Sequence, residues 1–531
     1  MPRTRITAQK IWTGDATRPF AKSITMDGGK IAGIDDASAV DQEIDGGEFA
    51  CPAFIDSHVH LLLGGRALSQ AHLAGVSSRE EFESVIRAKH ETLPNDVWLE
   101  ASGWDQGNWQ VSSQSNTTAN ARNMSSDGMP DQTWLASCGN RPAIAWRMDQ
   151  HVCVVNSAAL NIIAQRQDLS RDPVGGTIAR DAAGNPTGLL MEQAAWKLAV
   201  PCVPEPNSAA FRQAAHAAAR HLHAHGIATV GSMEYSRDLI STLSPLRHEL
   251  NLRIRATILD REWPVDWSLG QSVTADDALR IIGFKSFIDG TLGSRTARML
   301  EPYCDAPEHH GMFVELAESG KLSEWMREGL SRGWSMSVHA IGDAALSAAL
   351  DAADAAEKSG VRARESLRIE HGQTAHASDI SRCKDRWLSM QPLHKYFDAA
   401  PALARLGPAR MDRFFCFKQF HQAGARLAFG SDWPIVEPDC LQAMQTAITG
   451  ATFGGAITRA QSNISAEIAL QAFTYDAAEY LRASDTCGAL KVGHAADIVS
   501  LDRDPITMDW SQHKPNIRFT CVAGMTAPAT L

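Results

Sequence analysis

The chain has 531 residues, 44% of them hydrophobic and 21% charged, with 50 Lys+Arg against 61 Asp+Glu and a formal net charge of −11. That balance offers no cationic excess to neutralise phosphates, which excludes a dedicated nucleic-acid binder. No apolar run approaches the ~20 residues of a membrane span. The opening MPRTRITAQKIWTGD lacks the apolar core of a secretory signal, so no membrane partner and a cytoplasmic location are expected. The ten cysteines are scattered without a C-x-x-C pair, and most of them read as small buried hydrophobes. Histidine is the residue to follow, with 19 copies.

In chain order, residues 5–50 alternate short apolar runs with Asp-Gly and Asp-Asp pairs, the pattern of short strands joined by turns. Phe54-Ile55 opens an apolar run that ends in His58-Val59-His60. The stretch from about 75 to 200 is too long for one strand–helix unit, and 111–133 within it is polar and aperiodic, as in a loop excursion. Beyond it the rhythm becomes helix, glycine, apolar strand. Ser208 to about His225 is expected to be helical and stopped by Gly226; Leu322 to Arg332 is stopped by Gly333; Asp343 to Lys358 ends near Gly360; Arg413 to Ala423 is stopped by Gly424. Ala496 to Leu501 and Ile517 to Val522 are again short strands.

Strands alternating with helices of this length indicate a parallel sheet, and their number between Phe54 and Phe429 fits a TIM-like (β/α)8 barrel, an α/β fold. We therefore expect residues 53–479 to form the barrel, with an insertion at about 75–200. Residues 1–52 and 480–531 are expected to form a composite β-sandwich. There is no G-x-G-x-x-G after the first strand and no phosphate-binding G-x-x-x-x-G-K-[ST], which counts against nucleotide-binding α/β folds.

Polar residues recur where these apolar runs end. On a strand, i and i+2 point to the same side, so His58 and His60 can reach one metal ion. Lys285 interrupts Ile281-Ile282-Gly283-Phe284-Lys285-Ser286-Phe287; His339 follows Val338; His371 follows Leu367-Arg368-Ile369-Glu370; Asp432 follows Leu427-Ala428-Phe429-Gly430-Ser431. A single strand-end histidine means little. Four His, one Lys and one Asp at strand ends in barrel order place the chemistry on the barrel rim, where such folds carry their active sites.

The set resembles the amidohydrolase superfamily, and its local motifs resemble amidohydrolase family 3, the branch of N-substituted formamide deformylase-like hydrolases. The motifs are PAFIDSHVHL (52–61), VNSAAL (155–160), GGTIARDAAGNPTGLLMEQA (175–194), KSFIDGTLGSRTA (285–297), VHAIGDAA (338–345), RIEHGQ (368–373), MQP (390–392), GSDWPI (430–435) and GHAADIVSLDRDP (493–505). The resemblance implies a divalent metal centre of one or two ions, with zinc favoured by the nitrogen and oxygen donors. By position, His58 and His60 would bind the more buried ion with Asp432, and His339 and His371 the second. Lys285 would bridge them as a carbamate formed with carbon dioxide; the alternative is an ion pair with Asp289 or Glu370 and a single metal ion.

The implied reaction is metal-assisted hydrolysis of a C–N bond in a small amide, with Asp432 as general base and acid. For substrate contacts, Arg295 is expected to clamp an anion or to form a surface ion pair, and Asp289 lies in the same loop. Trp104, Trp109, His151 and Asn156 are expected to line a lid, or the two tryptophans to pack their own subdomain, and His394 to touch the substrate carbonyl. The polar 111–133 stretch stands where family members carry a more regular segment. A deaminase or cyclic-amide hydrolase of the same superfamily is the alternative enzyme, although mononuclear deaminases usually lack the strand lysine. A non-enzymatic binding or regulatory barrel is the third reading, and a homo-oligomer is allowed.

Overall fold

The computed structural model describes residues 2–94, 97–106, 109, 129–148, 150–173, 176–260, 262–362, 366–453, 455, 456, 458 and 460–528. Most of the polar stretch 111–133, namely residues 111–128, lies outside the described residues.

Eight parallel strands follow one another in chain order around a nearly closed barrel: β1 (Phe54–Val59), β2 (Ile227–Glu234), β3 (Arg253–Ile258), β4 (Leu279–Phe287), β5 (Ser335–Ala340), β6 (Leu367–His371), β7 (Trp387–Met390) and β8 (Arg426–Phe429). Strands β1, β2, β3, β5, β6 and β7 are buried along their whole length, the polar residues they carry included. Register sets the rim. Lys285 on β4 pairs with Ser337 on β5, and His339 on β5 pairs with Glu370 on β6. These side chains therefore step across adjacent strands.

β8 forms no ladder with β1. The seam is closed just beyond both strand ends, where the Asp432 N–H donates to the His58 carbonyl at 2.7 Å and the His60 N–H to the Trp433 carbonyl at 2.8 Å. Gly430 permits this approach. A Cβ there would stand 2.6 Å from the His58 nitrogen and 2.8 Å from Asp56 Oδ1.

The helices Ser208–Ala224, Leu322–Ser331 and Asp343–Lys358 fall where the sequence places them. The helix expected over 413–423 does not. It is confined to Phe417–Gln422, after a 3-10 turn over Pro408–Arg413. Phe414 and Phe415 are fully buried, and Phe415 sits at φ 47°, outside helical geometry, so burying both rings overrides helical continuity.

Strands from both chain ends form one eight-stranded sheet. Phe49–Pro52 runs parallel to part of Thr4–Trp12 on one side and antiparallel to Ile498–Leu501 on the other. Its apolar face gathers Ile6, Ile11, Ile24, Ala50, Ile498 and Cys521.

Residues Gly65–Ala214 form a separate compact unit. A six-stranded sheet spans it, with Ala143–Arg147 and Val152–Val155 at its centre. Strand alternation divides its core in two. Ala143, Ala145 and Val154 pack with Trp104 and Phe82, while Ile144, Trp146, Cys153 and Val155 pack with Ala159 and Ile163. Among the described residues no helix is long and apolar enough to cross a membrane.

Candidate metal centre

His58 stands at the middle of the rim and is fully buried. Its Nδ1 lies 2.7 Å from Glu370 Oε2, so that nitrogen carries a hydrogen shared with the carboxylate. This leaves the lone pair of the ring on Nε2. It faces Lys285 Nζ at 3.0 Å and Asp432 Oδ1 at 3.4 Å. His60 follows β1 and brings its Nε2 within 3.2 Å of the same Asp432 oxygen. Asp432 Oδ2 lies 3.9 Å from His394 Nε2.

The second half of the group comes from β5, β6 and the start of the helix after β7. The His339 and His371 rings meet edge to face with centroids 4.3 Å apart, and His371 and His58 lie 5.2 Å apart. Gln391 Oε1 sits 2.8 Å from His371 Nδ1 and fixes that tautomer, which aims Nε2 inward. His339 Nε2 lies 3.1 Å from the Gly290 carbonyl oxygen. His371 and Asp432 are both held in the left-handed region, at φ 73° and 61°. Such conformations cost roughly 1–3 kcal/mol each and cluster at functional sites.

The electrostatics suit metal ligation. Burial, then the neighbouring His339, holds His371 well below the usual imidazole range, and burial lowers His60, so both favour the neutral ligand form. Burial opposes charge on Asp432, but His58, His60 and His371 outweigh it and keep the carboxyl ionised. Glu370 behaves likewise. Burial would raise it, yet His58 and Lys285, with hydrogen bonds from His58 and Tyr480, hold it down at about 2. One ligand atom each from His58, His371 and Asp432 lies within 4.8 Å of the other two. Two imidazole nitrogens and a carboxylate, all buried, fit a divalent transition metal. This trio groups His371 with His58 and Asp432, across the two-ion division that the resemblance implies.

Several sequence-flagged residues have other partners. Asp289 is buried and accepts hydrogen bonds from the backbone N–H groups of Arg298, Ile341 and Gly342, so its carboxylate organises the loop after β4. Arg295 forms a two-point pair with Asp305, at 3.1 and 2.9 Å, the surface ion pair rather than a free clamp. In the 65–214 unit, Trp104 is fully buried, donates to the Ala145 carbonyl and stacks on Trp109. Asn156 caps the helix Ser157–Arg166 and also bonds the Arg141 and Ala143 backbone, which occupies its amide structurally. His151 is half-buried with Nδ1 2.9 Å from Glu192.

The supporting residues Glu370, Gln391 and Tyr480 were not singled out as site residues from sequence. Glu370 precedes His371 and Gln391 directly follows β7, so strand-end position marks both. Tyr480 lies far along the chain and reaches Glu370 only through the fold.

A sequence model described as the amidohydrolase family matches residues 42–527. The chain is 30% identical over 548 residues to LONG AFTER FAR-RED 3 of Arabidopsis thaliana, covering 98% of this chain and 89% of that protein. It is 24% identical over 537 residues to N-substituted formamide deformylase of Arthrobacter pascens, covering 93% and 92%. Among solved structures, an uncharacterized metal-dependent hydrolase of Pyrococcus horikoshii shares the fold at TM-score 0.74 and 24% identity, covering 96% of this chain and 99% of that one. With nearly its whole length matched by the family model, the chain belongs to the amidohydrolase family.

Proposed function

We propose that this protein is a metal-dependent hydrolase of an amide-type C–N bond in a small molecule. The observation that carries the reading is the convergence of His58, His371 and Asp432 ligand atoms within 4.8 Å in a buried site. Those three residues would hold a divalent ion, zinc by donor type, with His60 and His339 beside them. When bound, the ion activates water and polarises the scissile carbonyl.

The chain's own groups do the rest. Asp432, at the rim and ionised, accepts the proton of the attacking water on a carboxylate oxygen and passes it to the departing nitrogen. Glu370 and Gln391 hold the two histidine tautomers. His394, 3.9 Å from Asp432 Oδ2, would meet the substrate carbonyl. Lys285, 3% exposed and 3.0 Å from His58 Nε2, would as a carbamate add a further carboxylate to the ligand set.

The test combines metal analysis of protein purified without added metal with a hydrolysis screen over N-formyl, N-acyl and cyclic amides. We expect at least one equivalent of metal and turnover in one of these classes. Fewer than about 0.3 equivalents, with no activity on reconstitution, overturns the reading. Turnover confined to cyclic amides would redirect it to the cyclic-amide branch.

A further inference from the structure

A second cluster of nitrogen and oxygen ligand atoms lies outside the catalytic group. His221, His225 and Glu437 each bring one such atom within 4.8 Å of the other two. His221 lies in the last turn of the helix Ser208–Ala224, and His225 follows just past its end. The spacing i, i+4 sets two imidazoles side by side on a helix, and these rings have centroids 4.6 Å apart. Glu437 arrives from the segment after β8, with Oε2 2.9 Å from His221 Nε2.

We propose that His221, His225 and Glu437 form a second divalent-cation site, suited to zinc. Three details of the geometry support it. His225 Nδ1 lies 2.9 Å from the His221 carbonyl oxygen, and a carbonyl only accepts, so Nδ1 carries the hydrogen and Nε2 keeps its lone pair. A backbone carbonyl on the far nitrogen is the outer support that orients metal-ligating histidines. His221 is only 8% exposed, stacks on Trp433 at 5.2 Å and 19°, and its buried Nδ1 has no hydrogen-bond partner among the described residues. Its ring is thus oriented by packing rather than by a second protein hydrogen bond. The Glu437 side chain is 62% exposed, which gives an ion a path from solvent and leaves room for water as a fourth ligand.

Two nitrogens and one carboxylate favour zinc over magnesium or calcium, which take all-oxygen shells. Because Trp433 directly follows Asp432, an ion here ties the helix end to the segment that carries the catalytic carboxylate.

The experiment strips the full-length protein of metal and titrates it with Zn2+ against a chromophoric chelator. We expect wild type to show a zinc site that His225→Ala and the exposed-residue change Glu437→Gln each weaken at least about tenfold, with unchanged circular dichroism. The same His225-dependent zinc should persist when Asp432→Asn disables the catalytic group. Equal zinc binding by wild type and both variants overturns the proposal, as does loss of the His225-dependent zinc in Asp432→Asn. Zinc-edge anomalous diffraction gives a direct check: a peak between the three side chains supports the site, and its absence in zinc-grown crystals removes it.

Discussion

The backbone N–H of Asp432 donates to the carbonyl oxygen of His58 at 2.7 Å, and this bond closes the barrel where the candidate ligands meet. The first and last strands of the barrel are joined there by main-chain contacts beyond their ends rather than by a regular ladder. Asp56 reinforces the seam by accepting from the Ser431 N–H at 3.0 Å and the Ser431 hydroxyl at 2.6 Å. Barrel closure thus brings Asp432 beside His58 and His60.

Asp432→Asn should abolish turnover while the fold persists. The amide nitrogen cannot accept a proton, and general-base losses run to about 10²–10⁴-fold. Steady-state kinetics and circular dichroism check this, and activity above a few per cent of wild type would remove Asp432 as the base.

Lys285→Ala should inactivate the enzyme, with partial recovery on adding short carboxylic acids that supply the missing carboxylate. Acid-dependent activity measured at fixed metal content is the readout. Full activity without added acid would make Lys285 a structural cation beside His58.

Glu370→Gln should weaken metal binding about 10–100-fold, since it removes the charge that holds the His58 tautomer. Zinc competition titration measures the change. An unaltered affinity would mean that packing alone orients His58.

Glu234, at the end of β2, should make stability depend on pH. Burial raises its carboxyl from 4.5 to about 7, against hydrogen bonds from the Ser232 hydroxyl and the Leu62 N–H. With the folded value above the unfolded one, the folded state keeps a proton that the unfolded chain has released between those two pH values. Stability therefore falls as pH rises from about 4.5 to 7. Glu234→Gln should flatten that slope by up to about 1.4 kcal/mol per pH unit, measured by urea unfolding across the window.

The sequence by itself determined the barrel, the β domain shared by both chain ends, and the candidates at strand ends. These are local matters. Apolar runs of strand length bounded by glycine-stopped helices encode βαβ units, and a polar residue at the end of each run stands out against them. The expected helix over 413–423 failed because propensity does not register the burial of Phe414 and Phe415.

Only the tertiary structure decided which candidates meet. That His60 and His371 both come up to the His58–Asp432 pair depends on strand register and on closure across the seam, neither of which has a period along the chain. The same holds for Arg295, whose partner Asp305 is set by the loop's path, and for Tyr480, which reaches Glu370 from 110 residues away. The His221–Glu437 contact spans 216 residues and was equally invisible. Sequence periodicity reports which face a residue occupies, whereas a metal site depends on distances between faces that only the closed barrel sets.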